Sequence, residues 1–311
     1  MNPMTTTALR AATCWRATIA AVTLAMIATA AVAAPKSFAS PEDGVSALAA
    51  AVEMNDQSAL AAMLGPRGGR LISSGDAIAD AHNREIFSKS YSEAHSIRLE
   101  GRSRAVLLTG NDEWPLPIPL VKAGNGRWHF DAGSGEKEIL TRRIGRNELA
   151  AIQVCLAIVD AEREYAARNP DKNSVRRYAA RLVSSPDRHD GLYWPTAEDE
   201  LPSPLGPLLA AAAVEGYAGN AAFPLTPYHG YYYRIVTAQG RHAAGGAYEY
   251  GNDNSGGFGV IAYPARHGAS GVMTFAVNHD GIVYEKNLGK NTSAIAATLK
   301  LFDPDATWKR P

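Results

Sequence analysis

The chain has 311 residues, of which 46% are hydrophobic and 20% charged, with 31 basic residues balanced by 31 acidic ones. That length can bury a sizeable core and suits one large or two modest domains. A balanced charge leaves no electrostatic footprint for nucleic acid or for an anionic membrane surface.

The first element reads as a secretory signal. Arg10 and Arg16 precede the first acidic residue, Glu42, and an alanine-rich apolar stretch runs from Ala17 to Ala31. It ends in Ala31-Val32-Ala33, a small-residue cleavage pattern. The stretch is too short for an anchor, which needs about 20 apolar residues, and no cysteine follows it to take a lipid. Residues 1–33 are expected to be removed, leaving 29 basic and 31 acidic residues. Cys14 leaves with them, so Cys155 becomes the sole thiol and is expected to be buried. No later apolar run is long enough to span a bilayer. The expected mature chain therefore has no transmembrane anchor and is periplasmic, or secreted outright.

Residues 38–140 read as an N-terminal α+β domain. Ser40-Pro41-Glu42-Asp43 is a helix start, with Ser as cap, Pro in the first turn and acids after it; Val45, Leu48, Ala49 and Val52 follow at helical spacing. A second helix fits 57–64, stopped by Gly65-Pro66; 67–74 reads as loop and 76–91 as a third helix. Strands are expected at 96–100, 104–109, 114–121 and 127–131, with glycine turns between them. Helices followed by a meander is the α+β pattern. The three prolines of Trp114-Pro-Leu-Pro-Ile-Pro119 remove ladder donors, which predicts a sheet edge.

A boundary is expected within the glycines of 133–145, and residues 146–311 read as a second α+β domain. A long helix is predicted over 147–168, with Leu149, Ile152, Leu156 and Val159 as its apolar stripe and Glu162, Arg163 and Glu164 at a solvated end. A short helix at 175–182, a Pro-rich stretch to Pro207 and a helix at 208–215 follow. Strands are predicted at 230–236, 257–263, 273–277 and 282–285, the last two as a hairpin with Asp280-Gly281 at its turn. Thr292 is expected to cap a final helix through Leu301.

Motifs for catalysis are scarce. No two of the eight histidines lie closer than 12 residues, so no H-E-x-x-H or Cys/His zinc pattern exists. There is no nucleophile elbow and no phosphate loop. Gly251 to Gly257 is glycine-rich but lacks the spacing and closing Glu of a calcium loop. A central acidic stretch gathers Asp187, Asp190, Glu198, Asp199 and Glu200 around His189, beside Tyr193 and Trp194. Paired carboxylates beside aromatic platforms are what glycan hydrolysis requires; a solvated loop collects the same residues. Tyr228-His-Gly-Tyr-Tyr-Tyr233 puts Tyr231 and Tyr233 on one strand face and Tyr232 on the other. They form either a binding platform or a packed core face.

Six blocks carry a resemblance: Trp114-Pro-Leu-Pro-Ile-Pro-Leu120, Arg142-Arg-Ile-Gly-Arg-Asn-Glu148, Asp190-Gly-Leu-Tyr-Trp-Pro195, Ser203-Pro-Leu-Gly-Pro207, His229-Gly-Tyr-Tyr-Tyr-Arg-Ile235 and Gly271-Val-Met-Thr-Phe-Ala-Val-Asn278. Together they resemble an uncharacterised family of exported proteins of Gram-negative bacteria, a domain of unknown function. The resemblance implies an envelope location and assigns no activity. The first half also resembles a cystatin-like or nuclear-transport-factor-like unit. The second half resembles the soluble part of type IV pilins and pseudopilins, although its long helix is internal here.

The expected function is a non-enzymatic binding module of the cell envelope. Its candidate binding residues are Asp190, Tyr193, Trp194, His229, Tyr231 and Tyr233, with no cofactor, no metal and no catalytic residue assigned. The expected partner is an envelope protein or a glycan, and no nucleic acid. The alternatives are a cell-wall or glycan hydrolase using carboxylates of 187–200, and a pilin-like assembly subunit.

Overall fold

The computed structural model describes residues 35–170, 172, 174–217, 225–251 and 254–311. The signal segment expected at 1–33 lies outside the described residues, as do Asn252 and Asp253 of the glycine-rich turn. The fold is α+β.

The N-terminal part begins as its local signals dictate. Helix α1 (Pro41–Glu53) is capped by Ser40, whose hydroxyl accepts the Asp43 N–H at 3.1 Å. Helix α2 (Gln57–Leu64) is capped in the same way by Asp56. The expected loop at 67–74 is instead partly helical: a 3₁₀ turn covers Gly65–Arg67 and α3 covers Gly69–Ile72. Helix α4 (Ala77–Glu93) follows, capped by Asp76, and the one residue it buries is Asp80. An antiparallel meander comes next: β1 (His95–Glu100), β2 (Arg104–Thr109), β3 (Trp114–Pro115), β4 (Leu120–Lys122) and β5 (Trp128–Phe130).

The proline-rich segment is not wholly an edge. Trp114-Pro115 and Leu120-Val121 both pair with β2, and β4 lies inside the sheet between β2 and β5. The register shifts by two residues between the two pairings, so Pro117 and Ile118 form a bulge. The prolines are accommodated there because the bulge needs no ladder donor.

Helix α5 (Ala132–Arg168) is 37 residues long and starts 15 residues before the expected position. Asp131 caps it by accepting the Ser134 N–H at 3.2 Å. Gly133 and Gly135 read as breaks but sit inside the helix. A side chain at Gly135 would run into the Pro117 carbonyl of the bulge, so glycine here permits close packing and does not end the helix. The expected stripe is also rotated: Leu149 is 68% exposed, and the buried face is Ala151, Val154, Cys155, Ile158, Val159, Glu162 and Tyr165. Glu162, expected in solvent, is fully buried.

Beyond α5 the expected helix at 175–182 is absent. Its end is β6 (Arg181–Val183), paired in parallel with β7 (Gly191–Tyr193). Helix α6 (Gly206–Val214) follows, then β8 (Tyr231–Val236), β9 (Ala238–Gln239), β10 (Tyr248–Glu249), β11 (Gly259–Pro264), β12 (Thr274–Asn278), β13 (Tyr284–Lys286) and α7 (Thr292–Thr298). Thr292 is the first residue of α7; Asn291 is the capping position. Strands β13-β12-β11-β8 form one antiparallel sheet, and β12 and β13 make the expected hairpin. One face of this sheet packs on α5 through Tyr231, Tyr233, Val260, Ala262, Phe275 and Val277. The other packs on Phe302 through Val236, Ile261 and Ala276. A sheet covered on both faces accounts for β12 being buried at every residue. A further apolar cluster, from Phe38 to Leu140, lies in the N-terminal part.

Candidate functional site

Two separate concavities carry three of the six sequence-predicted residues. The first is formed by the β6–β7 connection. It is a recess of about 620 Å³ lined by Ser184, Asp187, His189, Tyr193 and Trp194 among others. Trp194 packs against His189 at 4.6 Å and edge-on to Tyr165 at 6.3 Å, and the Tyr165 hydroxyl donates to the His189 carbonyl. Asp190 is not among the residues lining the recess. It accepts the Ser185 N–H at 2.7 Å and the Ser185 hydroxyl at 2.9 Å, with Arg181 at 3.7 Å. Partial burial opposes its ionisation, but the Ser185 bonds and Arg181 outweigh it and hold the carboxyl below its ordinary value. Asp190 thus ties the loop together. Among the described residues, Asp187 is the single carboxylate lining the recess, so no acid pair of the described residues converges there for paired-carboxylate chemistry.

The second concavity is built on the turn at His229. Tyr228 and Tyr231 exchange backbone hydrogen bonds of 2.8 and 3.1 Å across the two residues His229 and Gly230. Both central residues have positive φ, 49° and 76°, the sign pattern of a tight primed hairpin turn. Glycine is required at the second position: a Cβ there would lie 2.6 Å from Asn147 Nδ2 and 2.9 Å from Ser270 Cβ. Histidine is among the few side chains that tolerate the first.

Buried Asp76 locks this turn to α4. Its Oδ1 accepts the Ala79 N–H at 3.0 Å, which caps the helix. Its Oδ2 accepts the Gly230 N–H at 2.7 Å and the Tyr217 hydroxyl at 2.9 Å. The Tyr217 oxygen in turn accepts the His229 N–H at 3.3 Å. Burial, with Asp76 beside it, pushes the Tyr217 hydroxyl well above its ordinary value, so it stays a donor. Glu215 Oε2 lies 3.4 Å from His229 Nε2 and also takes the Tyr228 hydroxyl. Burial, then that carboxylate, pushes Tyr228 up to about 12.

Around this frame lies a cleft of about 290 Å³. His82, Asn83 and Ile86 of α4 form one wall, Arg146 and Asn147 of α5 the floor, and Glu215, Tyr217 and His229 the other wall. Asn147 is fixed by donating to the Ser270 carbonyl at 2.9 Å. The cleft thus holds a cation, a carboxylate, two imidazoles and two amides, drawn from α4, α5, the end of α6 and the His229 turn. That is a set suited to gripping a polar ligand by complementary charge and hydrogen bonding.

Of the six predicted residues, His229 lines this cleft and Tyr193 and Trp194 line the other recess. Tyr231 and Tyr233 belong to neither. They are 0% and 2% exposed in the sheet core, their hydroxyls donating to the Met273 and Tyr228 carbonyls. They cannot serve as a surface platform, because the face they share is the one α5 covers. Cys155 packs among them, and burial pushes its thiol up to about 12. Asp76, Arg146, Asn147, Glu215 and Tyr217 complete the cleft and its brace, and no catalytic or binding motif marks them in the sequence. Asp76 carried one local signal, its place at a helix start.

Among the described residues, no group of three or more His, Cys, Asp or Glu side chains is placed to hold a metal ion. No described helix is long and apolar enough to cross a membrane. A family model described as a protein of unknown function (DUF2950) matches residues 35–310. No curated protein and no solved structure is significantly similar to the chain.

Proposed function

Because the chain belongs to the DUF2950 family of proteins of unknown function, we propose a reading from its own chemistry: an exported binding module of the cell envelope that takes its ligand at the His229 cleft. The observation that carries this is the convergence of Arg146, Glu215, His229 and His82, drawn from far-apart stretches of sequence, on one cleft braced by the Asp76 network. Buried polar networks with every member satisfied hold a constellation in place, and preorganisation is what a binding site needs. The ligand class is a polar envelope component, a glycan or a peptide bearing charge of both signs.

Export belongs to the same reading and rests on Arg10, Arg16, the apolar stretch 17–31 and the Ala31-Val32-Ala33 pattern. The division into domains 38–140 and 146–311 is part of it too, supported by two apolar clusters whose buried members fall on either side of 141–150.

Two experiments test it. N-terminal sequencing of the chain recovered from the periplasm should begin at Ala34; recovery from the cytoplasm with residues 1–33 intact would sink the export claim. A photo-crosslinking residue at Ile86, which is 50% exposed on the cleft wall, should capture soluble cell-wall glycopeptide. Arg146→Ala and His229→Ala should each reduce capture several-fold. Equal capture by all three chains would place the ligand elsewhere.

A further inference from the structure

The N-terminal part holds a second concavity of different character, on the other side of α4. It is a cavity of about 160 Å³ within the apolar cluster, walled by Leu48 of α1, Leu60 of α2, Leu116 beside the bulge, Phe130 of β5 and Ile139 of α5. Three charged side chains reach it: Asp80 and Arg84 of α4 and Arg143 of α5. Two of the three are engaged. Arg143 donates to the Arg70 and Leu71 carbonyls, both at 2.7 Å, and stands close enough to Asp80 to interact with it electrostatically. Asp80 is buried and accepts the Ser74 N–H at 2.8 Å. Arg84 is half-buried on the cavity wall and makes no hydrogen bond or ion pair with any described residue. The local charge is thus one positive in excess, carried by the one guanidinium that is uncommitted.

Helix α4 is consistent with a wall facing a ligand more than with one facing a packed core. It spans 17 residues and buries only Asp80, leaving Phe87 half-buried at the cavity. The size is also informative. A cavity of about 150 Å³ lined by Leu, Ile and Phe accepts one benzene ring, and apolar pockets with a few convergent polar groups are the usual form of small-molecule sites.

We propose that this cavity binds a small organic carboxylate, with an apolar group of about one ring inside and its carboxylate on Arg84. The apolar wall supplies the affinity for the ring. The planar guanidinium supplies a two-pronged hydrogen bond to the carboxylate. The inference goes beyond the His229 reading and does not rest on it.

The test titrates the purified full chain with 3-phenylpropionate, 3-phenylpropionamide and propionate, following binding by calorimetry and by methyl NMR of the cavity leucines. Phenylpropionate should bind, the amide about tenfold or more weaker, and propionate not at all. Arg84→Met, which keeps the apolar stem, should bring phenylpropionate down to the amide's affinity. Leu116→Phe, which fills the cavity from its half-buried rim, should abolish binding of both while the chain still melts cooperatively. His229→Gln should leave phenylpropionate binding unchanged, which separates this site from the cleft. The proposal is overturned if no aryl probe shifts the cavity resonances, or if acid and amide bind alike in wild type and Arg84→Met.

Discussion

Two buried carboxylates of this protein, one capping α4 and one within α5, are held on opposite terms. Asp76, at the start of α4, receives three donors: the Ala79 and Gly230 N–H groups and the Tyr217 hydroxyl. Among the described residues, Glu162, in the last third of α5, receives only the Ala179 N–H at 2.8 Å, and its other oxygen is buried with no hydrogen-bond partner. Burial raises Glu162 well above its ordinary value, against the opposing pull of the Ala179 bond. Burial alone therefore does not mark a site. The carboxylate that gathers donors from several elements organises a cleft, and the one that gathers a single donor pins a neighbouring segment.

The sharpest way to break this contrast is to remove Asp76. Asp76→Ala loses the α4 cap and leaves the Tyr217 hydroxyl and Gly230 N–H buried without an acceptor, which should cost about 3–5 kcal/mol in urea unfolding. A cost near that of an ordinary cap, about 1 kcal/mol, would show that the network adds nothing. Gly230→Ala attacks the same turn through its backbone. The left-handed φ and the crowding against Asn147 and Ser270 predict a loss of about 2–4 kcal/mol.

Glu162 predicts an effect of opposite sign. Its carboxyl holds its proton more tightly folded than unfolded, so its contribution is fully present below the ordinary carboxylate value of 4.5 and is lost as pH rises through the raised folded value. Glu162→Gln keeps an acceptor for Ala179 and cannot ionise. It should be more stable than wild type at pH 8, with the gap closing as the pH falls toward 4.5. Parallel urea midpoints across that range would refute it. The smallest effects belong to the surface. Trp194→Ala loses an edge contact with Tyr165 and should cost about 1 kcal/mol, whereas Leu149→Ala, on the solvent side of α5, should stay within about 0.5 kcal/mol.

What was legible in the sequence was what local chemistry decides. The start of α1 follows from Ser40 and the end of α2 from the Gly65-Pro66 stop, each within a turn of the helix end. The alternation of Tyr231, Tyr232 and Tyr233 put Tyr231 and Tyr233 on one face, but whether that face binds a ligand or packs is decided by α5, which covers it. The start of α5 was hidden because glycine has two uses. Gly135 is there for the Pro117 carbonyl, a neighbour that is remote along the helix face and unknowable before the bulge is placed. The rotation of the α5 stripe has a similar cause: which face meets the sheet is set by contacts remote in sequence, and they take Ala151, Val154, Cys155 and Ile158 while Leu149 is turned outward. Residues 175–182 carry helical spacing, but the Ala179 N–H is claimed by Glu162 and Arg181–Val183 by β7, so tertiary bonds override the local pattern. Half of the cleft was invisible for the same reason. His229 drew notice within its tyrosine run, but nothing near it in sequence announces Asp76 or Arg146.

The continuous helix also sets an order of events. At 37 residues, α5 is about 55 Å long, and its opening turns close the first apolar cluster at Ala132 and Leu140, whereas the second cluster begins at Ala151. A chain made or threaded N-terminus first has every member of the first cluster in hand before any of the second emerges. The later strands then meet a helix already moored at one end, so the tyrosine sheet assembles on a template that the earlier half has set in place.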